Sequence, residues 1–148
     1  MSDPMKNCIS VEELAEALRA GGYRAAIAAQ NGRPVIQSAA QGLGFVVVPG
    51  NPASDKSAGF VDFTFNCLIR IEGELKNGLV EQWNRAARFA RLYREGSLLV
   101  LAMDVVIAGG VSGRHLQAHC ELWDRLMHDF IAHVRLQGAS QTADRAAA

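Results

Sequence analysis

The sequence predicts an α+β domain of two layers, an antiparallel sheet covered by helices, in the order α-βββ-β-α-ββ-α. Residues 60–71, FVDFTFNCLIRI, set Val61, Phe63, Phe65, Cys67, Ile69 and Ile71 at odd positions and Asp62, Thr64, Asn66 and Arg70 at even ones. That is the period of a strand with one face in the core and the other in water or against a partner. Asn31-Gly32 sits between two alternating runs, the signal of a tight hairpin whose turn needs positive φ. Three further stretches repeat apolar residues at helical spacing. Strands joined by tight turns make an antiparallel sheet, and one-sided helices must cover it.

The elements follow in order. Ser10 and Glu13 form a capping box ahead of SVEELAEALRAGG, where Val11, Leu14, Ala15 and Leu18 make one stripe and Gly21 is read as the left-handed stop. Two strands then flank Asn31-Gly32, and Gly42 and Gly44 punctuate before a third, Phe45 to Val48. The polar run PGNPASDKSAG is a loop before the long strand at 60–71. Leu79, Val80, Trp83, Ala86, Ala87 and Ala90 form a second helical stripe centred on Trp83, and Phe89 falls off it, so the helix ends near there. ARLYRE and SLLVLAMDVVIA read as a hairpin of two strands turning at Glu95-Gly96. Gly109-Gly110 breaks the second, and Ser112 caps a last helix striped by Leu116, Cys120, Trp123, Met127, Phe130 and Val134. Residues 1–9 are read as an N-terminal extension, 10–136 as the domain, and 137–148 as a frayed tail without core residues.

Composition narrows the function classes. A chain of 148 residues builds one core, and 15 basic residues balance 15 acidic ones. No global field draws it to nucleic acid or an anionic membrane. Three cysteines, Cys8, Cys67 and Cys120, form no CxxC pair, which fits a reducing compartment. The start has no apolar signal core, and the longest apolar run, LLVLAM, is too short to span a bilayer. A cytoplasmic protein is expected. The four arginines of residues 82–96, Arg85, Arg88, Arg91 and Arg94, read as a solvated helix face with intrahelical ion pairs, partly offset by Glu81, and not as a nucleic-acid grip.

The block VEQWNRAARFARLYREGSLLVLAMDVVIAGGVSGRHL resembles the bacterial YbjN-like family, described as sensory transduction regulators. The matching elements are Trp83-Asn84, Arg85, Arg88-Phe89-Ala90-Arg91, Tyr93, Asp104 and Gly109-Gly110-Val111, with AGGYRAAI and GRPVIQSAAQGLGFVV as opening strands. The resemblance covers about residues 10–136. It implies a fold like that of the small type III secretion chaperones, commonly dimeric, and brings no catalytic residues.

Candidate sites are few. The even face of residues 60–71, with Asp62, Thr64, Asn66 and Arg70, is a candidate surface for a polypeptide segment, and Leu98, Val100 and Val106 extend it or close a dimer. Asp104 interrupts an apolar strand, so it is either paired, with an arginine of the Arg88–Arg94 run or a backbone donor, or set on the open face. Trp83, Asn84, Arg88, Asp104, Gly109 and Gly110 are the candidates for a ligand pocket or a structural polar group. Gly109-Gly110 ahead of the helix offers free amides for an anion or a plain turn. His115 and His119, four apart, are weak metal candidates, with no acidic residue in an HExxH pattern and His128 and His133 too far along. No cofactor is implied. The leading expectation is a non-enzymatic homodimeric adaptor or regulator. The alternatives are a small-ligand sensor with a pocket between helices and sheet, and a minor enzyme or metal protein built on the histidine pair.

Overall fold

The computed structural model describes residues 3–137. The predicted order is observed: α1 (Val11–Ala20), β1 (Ala26–Gln30), β2 (Arg33–Ala40), β3 (Leu43–Pro49), β4 (Asp62–Arg70), α2 (Leu79–Ala86), β5 (Arg91–Glu95), β6 (Leu98–Val106) and α3 (Gly113–Gln137). Six strands form one antiparallel sheet in the order β1-β2-β3-β4-β6-β5. The chain leaves β4, makes α2, runs out to the edge as β5, and returns as β6 between β5 and β4. The expected tail lies largely outside the described residues.

Local chemistry explains most boundaries. Ser10 and Glu13 make the reciprocal capping box of α1. Its left-handed stop is not Gly21, whose φ is −82°, but Gly22, at +92°. Gly21 instead lets Gln117 approach, since a Cβ there would lie 2.8 Å from its Oε1. Asn31-Gly32 and Gln41-Gly42 both take positive φ at successive residues, as primed hairpin turns require. Gly44 lies inside β3, one residue from its start. α2 is shorter than its stripe: it ends at Ala86, which is exposed, while Leu79 and Trp83 carry its burial.

One face of the sheet is the core. Phe63, Phe65 and Cys67 of β4, Leu99, Leu101, Met103 and Val105 of β6, and Ile36, Phe45 and Val47 of the hairpins lie beneath the helices. Trp123 of α3 stacks on Phe65 with ring centroids 5.2 Å apart, and Phe45 meets its edge at 5.9 Å. Burying aromatic and aliphatic side chains of this kind contributes roughly 1.5–3 kcal/mol each, the dominant stabilising term. The N-terminal segment joins this core. Ile9 is buried and bridges Phe60, and Lys6 bridges Val111. Gly59 sits under this crossing, where a Cβ would stand 2.2 Å from the Ile9 carbonyl oxygen.

Candidate functional site

Among the described residues, no helix packs on the other face of the sheet. The cross-strand register sets Thr64 beside Asp104, and places Ala102 between Asn66 and Arg91 and Val100 between Leu68 and Tyr93. Leu68, Tyr93 and Val106 are 47%, 37% and 62% exposed, whereas their neighbours Val100 and Ala102 are buried among them. The face is therefore an apolar field crossed by one polar row.

Asp104 anchors that row. It lies on the open face and is also paired. Thr64 Oγ1 donates to one carboxylate oxygen at 2.6 Å, and Arg91 Nη1 donates to the other at 2.7 Å. Partial burial pushes the Asp104 carboxyl up, but the Thr64 hydroxyl and the Arg91 guanidinium outweigh it and hold the group below the usual carboxylate range.

The four β4 residues proposed for partner contact divide. Asp62 is turned into the β3–β4 loop, accepting from the Asn51 backbone N–H at 2.7 Å and from Asn51 Nδ2 at 2.9 Å. Thr64 is spent on Asp104. Asn66, half-buried, has no side-chain hydrogen-bond partner among the described residues, and Arg70 is exposed with no ion pair among them. Asn66 and Arg70 thus keep unused polar groups on this face.

The pocket group does not converge. Trp83 is buried in the core, and its Nε1 donates to the Ala90 carbonyl at 3.1 Å. Asn84 Nδ2 donates to the Leu92 carbonyl at 2.8 Å, while the Leu92 N–H donates to Asn84 Oδ1 at 2.9 Å. The two residues thus hold the outer backbone groups of Leu92 in β5 and the Ala90 carbonyl just before it, and Asp104 faces the opposite side of the sheet. The hollow beside Trp83, lined with Ala86, Ala87, Asp129, Ala132, His133 and Leu136, includes neither Asn84 nor Asp104.

The arginines disperse as well, without the expected intrahelical pairs. Arg88 lies over the Phe89 ring at 4.8 Å, Arg91 pairs with Asp104, and Arg94 Nε donates to the Gly96 carbonyl. No ion pair joins Glu81 to Arg85 among the described residues. Gly109 and Gly110 take φ of 93° and 101°, which explains glycine there. The amides beyond them are occupied: the Asp3 carboxylate accepts from Gly113 and Arg114, and Ser112 Oγ accepts from His115. Sequence reasoning missed Asp3, because a cap contributed from the far end of the chain leaves no local pattern. His115 and His119 lie with ring centroids 4.5 Å apart, and no group of three or more His, Cys, Asp or Glu is placed to hold a metal among the described residues. Burial pushes the Cys67 and Cys120 thiols up to about 11, so neither is a thiolate at neutral pH. No helix is long and apolar enough to cross a membrane among the described residues.

These features define an open-faced antiparallel α+β domain whose covered side holds the core and whose bare side carries exposed apolar and polar groups. The chain belongs to the YbjN family, described as "putative bacterial sensory transduction regulator", whose family model matches residues 10–136. Neither the curated proteins nor the solved structures yield a match.

Proposed function

We propose that this chain is a non-enzymatic regulator that acts by holding a segment of another protein on its open sheet face, working as a homodimer in the cytoplasm. The observation that carries the reading is the bare face itself. Leu68, Tyr93 and Val106 remain exposed there beside an unpartnered Asn66 amide. Apolar anchors next to a few oriented polar groups are what a peptide-docking surface needs. The Asp104–Arg91 pair supplies a fixed charge pattern to set the register of an incoming segment. Family membership as a regulator agrees with this reading, and so does the chaperone-like, commonly dimeric fold that the resemblance implies.

Selection of peptides from a displayed random library tests it. Peptides rich in apolar residues are expected, perturbing the amide resonances of Asn66, Leu68, Tyr93 and Val100 and losing affinity on Leu68→Glu. Peptides that bind Leu68→Glu as well as the wild type, or that perturb only the helical side, overturn the reading.

A further inference from the structure

The two edges of the sheet are treated differently. At β5 the outer backbone groups of Leu92 are held by the Asn84 carboxamide, and the Ala90 carbonyl is held by Trp83. The strand is also charged, with the sequence RLYRE. Each of these devices keeps another strand from adding to an edge. β1 has such a device only ahead of its first residue, where Arg19 holds the Ala25 carbonyl, and none within the strand. Its sequence is AIAAQ, without charge or proline, and its Ile27 is 45% exposed.

The register identifies which groups are free. Gln30 pairs with Arg33 across the two-residue Asn31-Gly32 turn, and Ala28 and Ala26 continue that phase. In a two-residue hairpin the flanking pair exchanges both backbone bonds, and bonded and non-bonded pairs then alternate. Gln30, Ala28 and Ala26 therefore bond inward to β2, and Ile27 and Ala29 turn their N–H and C=O groups outward. The next outward carbonyl, that of Ala25, is already taken by Arg19 Nη2 at 2.7 Å. The Ala29–Pro34 pair agrees with this phase, since a proline has no N–H to give to a bonded pair.

We infer that β1 is the dimer interface: two copies pair their β1 strands antiparallel about a two-fold axis through Ala28. This inference deepens the homodimer in the proposed function and rests on it. The partner is a second copy because the edge is self-complementary. Centred on Ala28, Ile27 faces Ala29 of the second copy and Ala29 faces its Ile27, so every free outward group is paired. Centring on Ile27 brings in the occupied Ala25 carbonyl, and centring on Ala29 sets Ile27 against turn residue Asn31, so both waste bonds. In the Ala28 register Arg24 falls opposite Gly32, and no like charges meet. Because Asn84 already holds both outer groups of Leu92 at the β5 edge, addition stops at two copies, giving one continuous sheet with two open faces side by side.

Sedimentation equilibrium with variants at Ala28 and Ala29 tests the inference. Ala28 is its own partner across the axis, so Ala28→Lys sets two ammonium groups opposite each other and is expected to raise the dimer dissociation constant by about fivefold or more. Ala28→Glu acts likewise, and mixing the two variants restores association, which a folding defect does not do. Ala29→Pro removes an outward N–H without breaking a bond to β2, and is expected to weaken the dimer by about thirtyfold with the circular dichroism of the monomer unchanged. A dimer indifferent to all three, or a wild-type chain that is monomeric at every concentration, overturns the inference. Leu68→Glu run alongside separates the readings. If wild type is monomeric yet binds selected peptides through Leu68, only the β1 interface fails. If Leu68→Glu alone breaks the dimer, the open face is the dimer contact, and both the β1 interface and the docking reading fail.

Discussion

The Asn84 carboxamide holds Leu92 by both of its backbone groups, donating to the carbonyl at 2.8 Å and accepting from the N–H at 2.9 Å. One side chain of α2 thus takes the place a neighbouring strand would occupy at the β5 edge. Asn84→Asp keeps the shape and the acceptor but loses the donor, leaving the Leu92 carbonyl facing a carboxylate. The expected loss is about 1–3 kcal/mol of unfolding free energy, read from urea melts. Asn84→Ala unmasks both groups and is expected to add a tendency to oligomerise through β5, visible as species larger than a dimer.

Asp104 and Arg91 make an ion pair of a different kind. Their side chains are 55% and 54% exposed, so water screens both partners and the pair contributes modestly. A double-mutant cycle with Asp104→Asn and Arg91→Gln is expected to give a coupling of about 0.2–1 kcal/mol. Affinity for selected peptides is expected to fall more than stability does, because the pair's main consequence is the charge pattern it fixes on the open face. A coupling several times larger identifies the pair as a structural element.

Acid is expected to destabilise the domain through a small set of carboxylates. In Glu13 the Lys6 ammonium and the Ser10 backbone bond lower the pKa below 4.5, and in Asp104 the Thr64 and Arg91 bonds prevail over burial to lower it below 3.8. Asp3, held by the Arg114 and Gly113 amides, and Asp55, held by Ser57, are lowered too. A folded-state pKa below the unfolded one gives stability that is complete above the unfolded value and lost as pH falls through the folded one. Thermal midpoints are therefore expected to hold level down to about pH 5 and then to decline. Glu13→Gln and Asp104→Asn each lower the plateau and flatten that decline.

How far the sequence reaches is visible in particular residues. The alternation of residues 60–71 and the Ser10–Glu13 box are local patterns, and the structure reproduces both. Periodicity states which side of a strand is buried, since side-chain direction is set within the strand. It does not state which strands are neighbours, so the insertion of β6 between β4 and β5 had no local signature. Polar partners were out of reach for the same reason. Asp62 reads as a surface group until its loop partner Asn51 is known, and that Asn84 caps Leu92 in particular is known only once the two are seen side by side. Asp3 caps a helix 110 residues away, a pairing that only the folded chain creates.

Phe89 is the residue whose geometry is hardest to reconcile with stability alone. Its φ is +77° and it is 61% exposed, with only the Arg88 guanidinium over its ring. A bulky residue in the left-handed region costs on the order of 1–3 kcal/mol, and an exposed ring recovers little of that by burial. Phe89→Gly removes the strain but frees the unfolded backbone, so the expected net gain is about 0.5–1 kcal/mol. Phe89→Ala retains a Cβ in the same conformation, so it is not expected to gain. Phe89 lies two residues before Arg91 in the chain, so the open-face reading predicts that Phe89→Gly also weakens peptide binding, with stability and affinity moving in opposite directions. If the glycine variant is less stable than the wild type, the ring supports the fold, and the strain is balanced by packing and not kept for an incoming partner.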